Sequence, residues 1–425
     1  MKALIGLSLI VRRSLRQHAL STIVTVFSSA IAIGLVMGVF HLNAQTRQAF
    51  LLDGFGADAV LGARGSKLQL VLNSVFHLET SPGNLPWSIY AEMRQNPRVE
   101  LAIPYAVGDN YRGYRIVGTT NELFDRFEFA RGAKLALQSG GVFFDPALRE
   151  AVVGSVVAER TDLGLGAIFQ PRHGIAAAPS GAEIVHPEEY QVVGVLEPTG
   201  TPLDRVVFIP LEGIFRMEGH ELRGTGESFR PVAGESIPDE HKEVSAVLLK
   251  FRGGPMTGRF FDTQINLQGK QATLAFPLAQ VLLEIFQKLG WMVQVLRVVS
   301  YLVVVVAAAS ILAALYNTMN ERRREFAILR ALGARRRTVS SAIVLESSAI
   351  AAMGALLGLG VYAAIFSAAA FVVRRETGVV LDVFAFHPSL VIAPAAMVVL
   401  GALAGILPAL KAYATDVASN LVPTS

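Results

Sequence analysis

The sequence predicts a membrane protein of four transmembrane α-helices, with an α+β extracytoplasmic domain inserted between spans 1 and 2. Three observations point there. Four runs carry no charged residue, at 17–46, 298–320, 347–373 and 383–410, and each exceeds the roughly 20 residues that cross a hydrocarbon core about 30 Å thick. Between the first and second runs lies a polar stretch, 42–290, in which turn sequences such as SPGN, PRHG, EPTGTP and FRGGP separate short β-branched runs. Between the second and third runs lies a short loop with Arg322, Arg323, Arg324, Arg330, Arg335, Arg336 and Arg337, the enrichment that marks a cytoplasmic connection.

Composition agrees with a mixed membrane and soluble chain. Of 425 residues 52% are hydrophobic, and the mean hydropathy is +0.45, too apolar for an ordinary globule and too polar for membrane throughout. The net charge is +4, and the arginines flank apolar spans, where topology and lipid phosphates account for them; no nucleic-acid partner is expected. With no cysteine in the chain, disulfides, thiolate metal sites and cysteine nucleophiles are excluded.

The N-terminus places Lys2, Arg12, Arg13 and Arg16 ahead of the first run. Residues 1–19 are expected as a cytoplasmic amphipathic helix, with apolar and basic positions alternating at near-helical spacing over 4–15. A cleaved signal peptide has an apolar region of only about 7 to 15 residues, so the longer run is assigned as an uncleaved first span, 20–41, entered from inside. The domain at 42–290 then lies outside the cytoplasm. Its expected strands are 114–117, 151–153, 190–196, 206–209 and 244–251. Its expected helices are 86–95, 122–129 and 279–294, the last continuous with a second span at 291–317. The basic loop and its short helix occupy 318–338, the third span 339–372, a short outer loop with Arg374, Arg375, Glu376 and Asp382 373–388, and the fourth span 389–411. The tail, 412–425, returns to the cytoplasm, so both termini are expected inside.

Gly34 with Gly38, Gly354 with Gly358, and Gly401 with Gly405 are spaced as small-xxx-small pairs. In lipid such pairs let helix backbones approach closely, within the chain or against a second copy. Ionisable groups are almost absent from the spans. Glu346, His18, His41 and His387 fall near span ends, and interfacial placement explains them better than a proton relay, which disfavours an ion-driven transporter. The basic helix carries Ile328, Leu329 and Leu332 on one face with Glu325 at its edge, and Gly333 as a C-terminal stop. An apolar face is not needed for a topology signal or for lipid contact; it suits docking into a groove on a cytoplasmic partner.

The run ERRREFAILRALGARRRTVSSAIVLESSAIAAMGALLG, from Glu321 onward, resembles the second-to-third-span region of the MacB/FtsX superfamily of ABC transporter permeases. The start LRQHALSTIVTVFSSAIAIG resembles that family's first span, GADAVLGARGSKLQL and YQVVGVLEPTG resemble parts of its external domain, and GILPALKAYATDVASNLVP is similar to its ending, with Asp416 where a proline is usual. The resemblance implies that Glu321, Arg322, Glu325, Leu329, Arg330, Gly333 and Ala334 are ATPase-coupling positions, joined by Ile328 and Leu332 on the apolar face, and that Glu346 is the acidic residue entering the third span. It also implies a bacterial inner-membrane location, two copies of the permease and two copies of an ABC ATP-binding subunit, which would bind ATP and Mg. A periplasmic adaptor or lipoprotein and membrane lipid are further expected partners. Coupling by mechanotransmission would move a substrate outside the membrane; the alternative is a non-transporting relay that activates a partner such as a cell-wall hydrolase.

No catalytic residue and no cofactor of its own is assigned to the chain. GARGSK at 62–67 lacks the spacing of a phosphate loop, and neither HExxH nor GxSxG occurs. The eight histidines are scattered. His186 with Glu188 and Glu189 is taken as a solvated loop, His220 with Glu221 is no stronger, and no residue is assigned to a metal.

Overall fold

The computed structural model describes residues 2–51, 56–130, 132–174, 184–224, 237–288, 290–321, 327–328, 330–331 and 333–414. Contacts divide the chain into two units: Met1–Thr46 with Leu289–Phe371 and Asp382–Ser425, and Arg47–Lys288 with Val372–Leu381.

The first unit is helical. An N-terminal helix, α1 (Lys2–Gln17), precedes α2 (Ala19–Leu51). Among the described residues, four helices are long and apolar enough to cross a membrane, over Ala19–Gln48, Gly290–Thr318, Arg336–Thr377 and Ser389–Lys411. We number the spans 1 to 4 in that order. Glycines set how closely spans 1, 3 and 4 approach. A Cβ added at Gly354 would lie 2.5 Å from Ser29 Cβ, one at Gly358 3.1 Å from Ile33 Cβ, and one at Gly34 2.6 Å from Val361 Cγ1. Spans 1 and 3 therefore interlock, each offering glycines to the other's side chains. Gly401 meets Ala351 and Gly405 meets Ser347, which seats span 4 on span 3. Gly38 is looser, at 3.4 Å from Ile365. Span 2 joins through Phe40 against Tyr301, with ring centroids 6.2 Å apart, and through Lys411 over the Tyr316 ring.

Glu346 is buried within this unit and accepts a hydrogen bond from the Ser14 hydroxyl of α1, which ties the N-terminal helix to the first part of span 3. His41 is buried too, 2.6 Å from the Tyr362 hydroxyl and stacked on His387.

The second unit is built on a mixed sheet of ten strands. In chain order they are β1 (Ala59–Ala63), β2 (Val99–Tyr111), β3 (Tyr114–Thr119), β4 (Glu150–Val153), β5 (Ile168–Phe169), β6 (Arg172–His173), β7 (Tyr190–Val195), β8 (Val206–Pro210), β9 (Ala246–Phe251) and β10 (Ala272–Ala275). The spatial order is β10-β1-β9-β2-β3-β8-β4-β7-β5, and β6 pairs with β2 off that path. Side chains alternate between two buried faces. Val60, Ile103, Val117, Phe208 and Leu248 enter one core, whereas Leu61, Ala102, Val247 and Leu249 enter a second and Ile116, Val153 and Val207 a third. Burial on both faces explains why strands such as AVLLKF and VVFIP are almost wholly apolar rather than alternating.

Two local expectations change, and a third segment keeps its expected helix. The segment expected as a helix over 122–129 is helical only at Glu122–Asp125 and continues as a short strand, Glu128–Ala130. The strand expected over 244–251 is interrupted at Ser245, whose hydroxyl accepts from the Val107 amide and donates to Asn84. The segment expected as a helix over 279–294 is helical at all its described residues, in Leu278–Lys288 and from Gly290 onward; Leu289 lies outside the described residues.

Candidate functional site

Two places are candidates for a functional site. The first is the connection between spans 2 and 3. Glu321 ends the second-span helix and Arg336 begins the third. Of the assigned coupling residues, Arg322, Glu325, Leu329 and Leu332 lie outside the described residues, as does the Glu321 side chain. Ile328 is exposed and its neighbour Ala327 buried. Gly333 has a φ of +97° and donates its amide to the Arg330 carbonyl at 3.0 Å. That left-handed conformation terminates helices and favours glycine, and Ala334 follows it outside any helix or strand.

The second place lies in the sheet domain. β2 contains a register shift against β3 between Val107 and Asp109. Such a bulge redirects the side chains that follow, and Asp109, fully buried, is the residue after it. Three histidines from separate segments converge on its Oδ1. His186 Nε2 lies at 3.0 Å, His220 Nε2 at 3.2 Å and His173 Nδ1 at 3.5 Å. The rings stand 5.0 to 5.6 Å apart between centroids, with planes at 65° to 86° to one another. The four ligating atoms all lie within 4.8 Å of one another.

Each segment is held by backbone bonds. β6 delivers His173 beside Asp109, and Gly174 donates to the Gly108 carbonyl at 2.9 Å. Asn110 Nδ2 donates to the Gly174 carbonyl at 2.9 Å. His186 donates its amide to Pro171, and its Nδ1 lies 3.0 Å from the Glu218 carbonyl. His220 Nδ1 lies 2.8 Å from the Ile214 carbonyl. The buried Glu188 accepts the Glu218 amide at 3.0 Å, so the carbonyl facing His186 is itself fixed.

A buried carboxylate costs several kcal/mol unless it is compensated. Burial alone raises the Asp109 carboxyl, but the contacts from His173, His186 and His220 outweigh it and hold the group well below the usual carboxylate range. Burial lowers the His186 ring, and its bond to Asp109 more than reverses this. A cavity of about 380 Å³ reaches the cluster, lined by His173, His220, Gly108, His241, Glu221 and Glu243 among others.

His186 and Glu188 are therefore not in a solvated loop; both are buried, and His186 belongs with His220 and two residues that the sequence reading did not single out, Asp109 and His173. Positions 109, 173, 186 and 220 have no motif spacing, and only the sheet brings them together.

A family model described as the MacB-like periplasmic core domain matches residues 22–237, and one described as the FtsX-like permease C-terminal domain matches residues 297–417. The chain belongs to the MacB/FtsX superfamily of permeases. It is thus a multi-pass membrane subunit of the ABC-transporter type, and membership implies an ATP-binding partner chain. The solved extracellular domain of the noncanonic ABC-type transporter YknZ from Gram-positive bacteria aligns with 51% of this chain and 98% of that chain, at 15% identity and a TM-score of 0.28, a likeness too distant to carry an argument. No curated protein matches the chain.

Proposed function

We propose that this permease couples ATP hydrolysis in a separate cytoplasmic ATPase to conformational change in its inserted domain, and so moves a substrate outside the bacterial inner membrane. The observation that carries the reading is the family match over 297–417, which contains the whole connection from span 2 to span 3. The helix stop at Gly333 supports it, because a short helix ended by glycine between two spans suits docking to a partner. In this reading both termini and the connection are cytoplasmic, and two permease copies face two ATPase copies that bind ATP and Mg. Glu321, Arg322, Glu325, Ile328, Leu329, Arg330, Leu332, Gly333 and Ala334 form the docking segment. Motion at that segment passes into span 2 and, through 278–288, into the domain. This chain supplies no nucleotide chemistry of its own.

The test is co-purification of the full-length permease with its ATPase in mild detergent. Glu325→Lys and Leu329→Asp, on the docking face, should each release the ATPase while leaving the permease monodisperse. Undiminished ATPase in both variants would remove the docking role.

A further inference from the structure

We infer that Asp109, His173, His186 and His220 form a binding site for one divalent transition-metal ion of the Zn²⁺ class. The inference stands on the geometry of the inserted domain and does not rest on the ATPase reading.

The argument starts from tautomers. The Glu218 and Ile214 carbonyls can only accept, so the facing Nδ1 atoms of His186 and His220 each carry the proton. In neutral rings Nε2 then presents a lone pair, and both lone pairs face Oδ1 of a carboxylate, which also only accepts. Acceptors gathered in this way require something positive among them: a second proton on each ring, or a cation bound by all. Several features favour the cation. Imidazole nitrogen with its other N–H bonded to a backbone carbonyl is the usual arrangement of a metal-bound histidine. For zinc, with metal–ligand bonds of about 2.0 to 2.1 Å, the edges of a tetrahedron are about 3.3 Å; the three contacts to Asp109 are 3.0, 3.2 and 3.5 Å. The near-perpendicular rings approach one point from different directions. Independently, Asp109 Oδ2 is buried with no hydrogen-bond partner, although a purely hydrogen-bonded network would be expected to use it.

Donor chemistry narrows the ion. Three imidazoles and one carboxylate are not the all-oxygen set of Ca²⁺ or Mg²⁺, and the chain has no thiolate to select Cu(I). Four protein ligands around one ion describe a closed site, which fixes structure rather than opening a position to substrate. The ion would tie β2, β6, the approach to β7 and the turn at 217–220 into one cluster. Asp109 and His186 form its inner part, and His220, partly exposed, lines the cavity beside them. His173, with half its side chain exposed, is the ligand at the cavity mouth and the way in.

The test uses the full-length permease in detergent, free of affinity-tag histidines and treated with chelator, then titrated with Zn²⁺ alone. One equivalent should bind tightly and raise the thermal midpoint, Mg²⁺ and Ca²⁺ should not compete, and Co²⁺ should give the intense visible absorption of a tetrahedral centre. Asp109→Asn should weaken binding by more than about 100-fold, since loss of an outer partner alone costs 10- to 100-fold. If that variant does not fold, His173→Ala combined with His220→Ala at the cavity rim decides the matter, with His241→Ala on the same wall as a control that keeps full affinity. Absence of stoichiometric Zn²⁺ in the wild type, or equal affinity in the double variant, would overturn the site and leave a protonated histidine–carboxylate network.

Discussion

Lowering the pH should destabilise the inserted domain through His77, and His77→Asn should remove that sensitivity. Both ring nitrogens are buried without a hydrogen-bond partner, although the residue as a whole is partly exposed; the environment of the titrating atoms governs. Burial, with Arg115 and Arg205 adding repulsion, pushes the imidazole down from 6.5 to about 3. Between those values the unfolded chain binds a proton that the folded chain does not, so stability rises with pH across the window. The contribution is complete above 6.5 and is lost as pH falls toward 3. Each pH unit is worth about 1.4 kcal/mol, so moving from neutral pH to pH 5 costs about 2 kcal/mol, or about 4 to 8 °C in thermal midpoint for a domain of this size. Asparagine is the right replacement because His77 has a φ of +56°, which asparagine adopts more readily than most residues. The assay is thermal unfolding of wild type and variant in detergent at pH 7.5, 6 and 5. The variant's stability relative to wild type should improve by about 2 kcal/mol over that range. Parallel pH profiles would refute the reasoning.

Two further outcomes test the membrane half and the link to the domain. Gly354→Leu should lower the thermal midpoint sharply, because its Cβ would overlap Ser29 and overpacking costs about 1 to 3 kcal/mol or more. Gly360→Leu, on the same helix with nothing within 4 Å of an added Cβ, should not; equal effects would show that spans 1 and 3 do not meet as described. Proline at Gln287, in the helix Leu278–Lys288, should leave ATPase binding intact and abolish substrate movement, and full transfer with normal ATPase stimulation would exclude that helix as the mechanical path.

What could be read from the sequence follows from how local each signal is. The four spans are long, uncharged runs, and nothing competes with that signal. Strands buried on both faces, such as β8 and β9, are short apolar runs bounded by turns and are equally plain. β2 is not: VELAIPYAVGDNY has Glu100, Pro104 and Asp109 inside it, and proline and charge argue against a central strand. The same irregularity, a bulge at Gly108, is what turns Asp109 toward the histidines. The position of Glu346 near the start of a span is plain from the sequence, and only the packing of α1 reveals Ser14 as its partner. The cluster itself could not be found in sequence, since its residues lie 64, 13 and 34 positions apart and β6 is two residues long. Motifs record ligands brought together by one turn or helix, and this set is brought together by a sheet.

The central claim is that the connection between spans 2 and 3 is where an ATPase engages this permease. The most direct measurement places single cysteines at Ile328 and Ala334 in this cysteine-free chain and follows crosslinking to its ATPase in native membranes, with and without ATP. The account predicts a permease–ATPase adduct from both positions, changed in yield by nucleotide and absent from a cysteine at Phe384 in the opposite loop. Labelling of Phe384 but not of Ile328 or Ala334 would contradict it.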